Sequence, residues 1–269
     1  MQNLAGIERS TREKLIEIRR GTDPVFDVQD ASRVLKMPAN AVAKLLARWV
    51  KQGWLIRVKR GSYMAVPPEA RSGDEVSEEP LIVASRVFDP CYIGGWSAAE
   101  QWGLTEQIFR TIIVVTTRKV SMRDMKIRST DYLIKTISPS RFFGIKNIWR
   151  QNFKVGFSDP TKTVVDILDD PPLVGGGRML ADIVNAYVNS EDYDASLLLD
   201  YSARMNNGAI YKRLGYLMEQ IENSDKDLLA QLRVKLTSGN SKLDPSIPCQ
   251  RLVTRWRLFV PNNGERPRG

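Results

Sequence analysis

Histidine is missing from all 269 residues, and cysteine occurs only twice, at Cys91 and Cys249. With no imidazole and two thiols far apart in sequence, one chain cannot build a zinc site of the usual composition, nor a Ser-His or Cys-His catalytic pair. The expectation is a protein with no catalytic residue set, metal site or cofactor. Long apolar runs are missing too: no stretch approaches the ~20 residues that span a bilayer, and the N-terminus carries charge at Glu8, Arg9, Arg12 and Glu13. Neither a signal peptide nor a membrane association is expected, which points to the cytoplasm. Internal repeats and low-complexity tracts are likewise lacking.

What is present has ordinary globular proportions, 42% hydrophobic and 26% charged, at a length that allows a second core beyond one small module. The net charge of +9 is unevenly placed. Residues 1–66 hold 13 Lys and Arg against 6 Asp and Glu, a net of +7, whereas the remainder holds 27 against 25. An excess confined to one end is what a polyanion-binding module provides.

That end reads as a winged helix-turn-helix. Ser10 to Arg19 has a capping serine and apolar Leu15 and Ile18 three apart, so it forms a first helix, and Val25-Phe26 follows as a short apolar anchor. Asp27 stands where a second helix needs an N-cap, ahead of Val28, Ala31, Val34 and Leu35. A third helix opens after Met37-Pro38, with Val42, Leu45, Leu46 and Trp49 on one face at 3.6 residues per turn. Its other face carries Asn40, Lys44, Ala47, Arg48 and Lys51: an amide, long cations and a small alanine, suited to a DNA groove. Trp54 to Val58 and Ser62 to Val66 are strand-like runs around Lys59-Arg60-Gly61, a basic turn in which Gly61 takes positive φ. Asn40, Lys44, Arg48, Lys51, Lys59 and Arg60 are the expected DNA-binding residues. A solvated basic face is the plain alternative for any single helix, but the order helix, helix, helix, hairpin favours the motif.

After Val66 the composition changes to the proline-bounded, acidic run of Pro67 to Pro80, expected to be a linker. Residues 81–269 then form a larger mixed α/β domain, so the whole chain is α+β: a winged helix, a sheet, then C-terminal helices. Leu81 to Phe88 is an apolar helix, Gly94-Gly95 a turn, and Ser97 an N-cap for Ala98 to Trp102. Ile112 to Thr116, Met125 to Arg128, Tyr132 to Ile137 and Phe153 to Phe157 are the expected strands. Helices follow from Pro160 onward, from Arg178, Ala195, Ile210 and Lys226, and a last strand at Trp256 to Val260. A basic stripe crosses the sheet region; its members Arg118, Lys119, Arg123, Lys126, Arg128 and Lys135 are either a solvated face or a second contact surface for DNA, RNA or an acidic partner.

Several groups could carry chemistry, and each has a plainer reading. Gly175-Gly176-Gly177 before a helix could cradle phosphate, but its spacing fits neither phosphate-binding fingerprint, so a simple turn is favoured. Asp192-Tyr193-Asp194 and Asp225-Lys226-Asp227 have carboxylate spacing used to hold metal ions, yet each stands at a helix start, where aspartate caps. Asp124-Met125-Lys126 is too short a match to a nuclease sheet to carry weight. Tyr92, Trp96 and Trp102 alternate with glycine and alanine and read as core rather than as a stacking platform. Lys212 and Arg213 fall off the apolar stripe of Tyr211, Leu214, Leu217 and Met218, and so are expected to be free.

Three stretches occur in order behind the winged helix: YIGGWSAAEQWGL at Tyr92 to Leu104, DPTKTVVDILDDP at Asp159 to Pro171 with its trailing glycines, and AIYKRLGYLME at Ala209 to Glu219. With them the chain resembles the AbiEi family of antitoxins from abortive-infection toxin-antitoxin loci, over nearly its whole length. The resemblance implies an N-terminal winged helix that binds inverted repeats in operator DNA and represses its own operon. It also implies a C-terminal domain that counteracts a nucleotidyltransferase toxin encoded alongside. Other function classes stay open: a winged-helix regulator without antitoxin activity, or a metal-dependent nuclease or nucleotidyltransferase.

Overall fold

The computed structural model describes residues 9–23, 25–59, 61–65, 80–120, 122–127, 129–150, 153–222 and 224–262. The protein has mixed α/β architecture, with a DNA-binding-type region in front of a larger α/β part. The front region runs α1 (Arg9–Gly21), β1 (Val25–Asp27), α2 (Val28–Leu35), α3 (Ala39–Lys51), β2 (Leu55–Lys59) and β3 (Ser62–Ala65). Val25-Phe26 is thus a strand and not merely an anchor: β1 pairs antiparallel with β3, which pairs antiparallel with β2. Gly61 takes φ +82 between β2 and β3, a conformation that L side chains rarely adopt, so the tight return requires glycine there.

Alternation gives this small sheet two apolar sides. Phe26, Leu55, Tyr63 and Ala65 face Leu15, Ile18, Val42, Leu46 and Trp49 of the helices. Val25, Ile56, Val58 and Met64 face the other way and join the core of the following part. Their partners include Ile82, Val83 and Val87 of α4 (Pro80–Val87). The little sheet is therefore held between the helices of the front region and the core of the following part, with α4 against it. Arg86 on α4 adds an ion pair to Asp23 at 3.0 Å. The expected linker, Pro67 to Pro80, lies outside the described residues except for Pro80, which opens α4.

Next come β4 (Cys91–Ile93), α5 (Gly95–Gln101), β5 (Thr111–Thr116), β6 (Asp124–Ile127), β7 (Thr130–Thr136), β8 (Ile145–Arg150) and β9 (Phe153–Ser158). They form a six-stranded sheet in the order β6-β7-β5-β4-β9-β8. β5 lies parallel to β7 and antiparallel to β4, well inside the sheet. Both its faces are covered, Val114 by one apolar cluster and Ile113 and Val115 by another, which is why its sequence is a continuous β-branched run. Neither β4 nor the edge strand β8 is among the strands expected from the sequence. Ser97 does not cap α5: Gly94 holds that position without a side-chain bond, and the Ser97 hydroxyl accepts from the Ile113 N–H at 3.0 Å.

The chain then becomes helical: α6 (Pro160–Asp169), α7 (Gly177–Val188), α8 (Ala195–Met205), α9 (Gly208–Met218) and α10 (Lys226–Val234). α6 begins as its residues dictate, with Asp159 accepting from the Lys162 N–H at 2.7 Å and proline in the first turn. It is buried all round from Pro160 to Leu168, so it is the axis of the helical half rather than a half-exposed layer. β10 (Ser241–Lys242), β11 (Arg251–Val253) and β12 (Leu258–Val260) close the fold as a small sheet in the order β10-β12-β11. The expected single strand at Trp256 to Val260 is divided: Trp256 ends a 3-10 turn, Thr254–Trp256, and only Leu258 onward is extended.

Candidate nucleic-acid interface

The site is built outward from α2. Asp27 ends β1 in extended conformation and caps α2, accepting from the N–H groups of Gln29 at 2.7 Å and Asp30 at 2.9 Å, while Asp30 accepts from the Asp27 N–H at 3.2 Å. This reciprocal box fixes where the helix begins. It ends at Lys36, which adopts the left-handed conformation at φ 52, and the Ser32 hydroxyl donates to the Met37 carbonyl across the turn. Pro38 is extended and presets the start of α3, whose alanines, leucines and cations are good helix formers.

Val42, Leu46 and Trp49 are wholly buried beneath α3. Asn40, Lys44, Ala47, Arg48 and Lys51 are all exposed on it. Thirteen residues give a rod of about 20 Å, long enough to lie in a major groove. Among the described residues no carboxylate pairs with Lys44, Arg48 or Lys51. The Asn40 side-chain oxygen accepts from the Ala41 N–H at 2.8 Å. Two further exposed cations of the front region escape the sequence reading: Lys36 in the turn before α3, and Arg57 on the side of β2 that also carries Leu55. Alternation along β2 is the signal that marks Arg57. Arg60 lies outside the described residues, as does the side chain of Lys59.

The basic stripe does not stay together. Lys135 is only 15% exposed and pairs with Asp169 at 3.2 Å and Asp170 at 3.1 Å, so it belongs to the interior and not to a partner surface. Arg118 is exposed but donates to the Asp89 carbonyl at 2.9 Å, and Arg123 approaches Asp170 at 3.9 Å. Lys119 and Lys126 are exposed without a described partner, and Arg128 lies outside the described residues.

The polar residues of the DPTKTVVDILDDP stretch are used inside the fold. Lys162 and Asp166 form a buried ion pair completed by the Tyr92 hydroxyl, which donates to Asp166 at 2.7 Å. Burial, followed by the nearby Asp166 charge, pushes the Tyr92 hydroxyl well above its ordinary range. Thr163 bonds Ser158 at 2.7 Å, and Thr161 bonds the Tyr187 hydroxyl at 2.7 Å. Asp169 accepts from Lys135, from Arg141 at 3.4 Å and from Asn207 at 2.8 Å. Burial alone would raise its carboxyl, but Lys135, Asn207 and Arg141 outweigh that and hold it below the usual carboxylate range.

Lys212 and Arg213 are not free, contrary to their place off the apolar stripe. Lys212 donates to the Gly239 carbonyl at 2.9 Å, and Arg213 donates to the carbonyls of Leu168, Asp169 and Lys242. The C-terminal end of α6 supplies the acceptors at Leu168 and Asp169, and the segment from Gly239 to Lys242 supplies the other two. Asp194 and Asp225 cap α8 and α10, which gives the two carboxylate pairs their local role. Trp96 and Trp102 turn their indole N–H groups inward, to the carbonyls of Thr111 and Ser158 at 2.7 Å each.

Residues 13–66 match the family model described as "Transcriptional regulator, AbiEi antitoxin". That match covers the helices and hairpin built above. No curated protein matches the chain significantly. Among solved structures, the RV2827C protein from Mycobacterium tuberculosis is similar with a TM-score of 0.66 at 14% identity, over 96% of this chain and 94% of that one. At that identity the likeness is one of fold, and it extends through both the front region and the larger part. No helix of the described residues is long and apolar enough to cross a membrane.

Proposed function

We propose that the protein is an operator-binding autorepressor and antitoxin, with α3 as the element that enters the major groove of duplex DNA. The supporting observation is the division of α3: Val42, Leu46 and Trp49 fully buried, and Asn40, Lys44, Ala47, Arg48 and Lys51 exposed with no carboxylate among the described residues neutralising the cations. A helix whose cations were merely solvating a surface would more often carry acidic residues among them, and α3 has none. In this reading Asn40, Lys44 and Arg48 reach bases or phosphates, and Lys51, Lys59 and Arg60 hold the adjacent backbone. Inverted repeats upstream of the protein's own reading frame are the proposed target.

The test is titration of that upstream DNA with Lys44→Ala/Arg48→Ala protein. For every side chain that reads a base well, its truncation should weaken binding by about 1–3 kcal/mol. An unchanged midpoint for the double variant would reject the assignment of α3.

The antitoxin half of the proposal places the toxin-facing surface on the exposed part of the basic stripe, around Lys119 and Lys126, with Arg118 and Arg123 beside them. A non-enzymatic role fits this assignment, since one aspartate of each carboxylate pair that could have held metal, Asp194 and Asp225, is used as a helix cap. Lys119→Glu/Lys126→Glu protein should retain DNA binding and lose protection of cells that express the neighbouring nucleotidyltransferase. Loss of DNA binding together with full protection would reverse the assignment of the two surfaces.

A further inference from the structure

The glycines before α7 have the composition of a turn or a phosphate cradle, and their surroundings point to a different ligand. Asp244, fully buried, lies at the start of α7: one carboxylate oxygen accepts from the Gly177 N–H at 3.1 Å, and the other takes the Ser246 N–H at 2.9 Å and hydroxyl at 2.6 Å. The chain's own carboxylate thus occupies the position a phosphate would need. Gly176, at φ +112, fits against it closely, since a Cβ there would stand 2.8 Å from the Asp244 oxygen.

Beside this anchored turn is a cavity of about 660 Å³, within the size range of small-molecule sites. The glycines leave one wall without side chains, and Ala181, Leu217, Leu243, Ile247 and Pro248 make the lining predominantly apolar. Arg178 supplies the charge open to it, exposed and with no described acidic partner. The Tyr216 hydroxyl, also on the lining, has no described hydrogen-bond partner. An apolar chamber offering, among the described residues, one available guanidinium and one phenol suits one planar anionic group on an apolar body. A multiply charged phosphate does not match one cation with the Asp244 carboxylate behind it.

We propose that this cavity binds an apolar monocarboxylate, supplied either as a free organic acid or as the C-terminal residue of a peptide. The carboxylate meets Arg178 and Tyr216, and the apolar body lies over Leu217 and Ile247. The proposal is independent of the DNA-binding reading, because none of these residues belongs to the winged helix.

Calorimetric titration of the full-length protein with octanoate, octanol and a short Leu-terminated peptide, with free or amidated terminus, tests it. Octanoate or the free peptide should bind saturably at a single site, with the neutral counterpart at least about tenfold weaker. Whichever carboxylate binds tighter identifies the source. Arg178→Gln should remove most of the preference for the acid over its neutral counterpart, and Ala181→Phe should fill the chamber and abolish binding of both. Circular dichroism confirms that each variant is folded; should Ala181→Phe fail there, the acid-to-neutral ratio in Arg178→Gln decides alone. No saturable binding of either carboxylate at millimolar concentration, or a ratio unmoved by Arg178→Gln, overturns the proposal.

Discussion

Asp159 and Asp169 stand at opposite ends of α6 and respond to acid in opposite directions. Asp169 has its folded pKa depressed by Lys135, Asn207 and Arg141 against the effect of burial. Its pairing therefore contributes stability above the unfolded pKa, and that contribution is lost as pH falls through the folded value. Asp159 is raised, first by burial, so its charge costs stability at neutral pH and that cost is relieved as pH falls through its folded value. Tyr201, whose hydroxyl donates to Asp159 at 3.0 Å, is pushed up to about 12 by burial and by that carboxylate. Asp169→Asn should cost roughly 3–5 kcal/mol at pH 7, as expected for breaking a buried pair, with a difference from wild type that shrinks in acid. Asp159→Asn should stay within about 1 kcal/mol, because asparagine caps as well as aspartate. Denaturant titrations at a series of pH values check both. Gly215 is the other exacting residue: a Cβ there would lie 2.1 Å from the ring of the fully buried Trp256. Gly215→Ala should therefore cost about 1–3 kcal/mol or more, read as a lowered denaturant midpoint.

At the scale of elements, what is legible in the chain is what local chemistry decides. The caps at Asp27, Asp159, Asp194 and Asp225, the proline at the start of α6 and the apolar stripe of α3 all announce themselves within a few residues. Asp27→Ala should accordingly lower stability by about 1 kcal/mol while Asp27→Asn leaves it nearly unchanged, in thermal melts of the two variants. What stays hidden depends on neighbours distant in sequence. β8 is an edge strand, Ile-Lys-Asn-Ile-Trp-Arg, with Trp149 63% exposed, and its alternation is too weak to mark it as a strand. Lys212 and Arg213 look solvated on a helical wheel, and only the packing of α9 against the end of α6 and the fold of the tail bring carbonyls to them. The candidate interface is legible where it lies on α3 and loses its outline on the stripe, because Lys135 and its neighbours answer to Asp169 and Asp170 across the fold. If α3 meets phosphates, each cation removed from it should also flatten the log-log salt dependence of binding by about 0.9.

Across the whole molecule the little sheet joins the helices of the front region to the α/β part that follows. The seam is apolar before it is ionic: Met64 is fully buried and Val25 nearly so, whereas Arg86 and Asp23 are part-exposed and their pair is worth no more than about 1 kcal/mol. Arg86→Ala should thus leave the melting temperature almost unmoved. Met64→Asp places an unpaired carboxylate inside the seam and should lower stability by several kcal/mol or split the calorimetric transition into two. A single transition at the wild-type temperature would show that the two halves do not depend on that seam. With both broad sides of the little sheet already occupied, two copies, if set on facing halves of a repeat as proposed, would have no vacant β surface to share. They can meet only along the rims at β1 and β2, through parts lying outside the hairpin, or not at all except by way of the duplex between them.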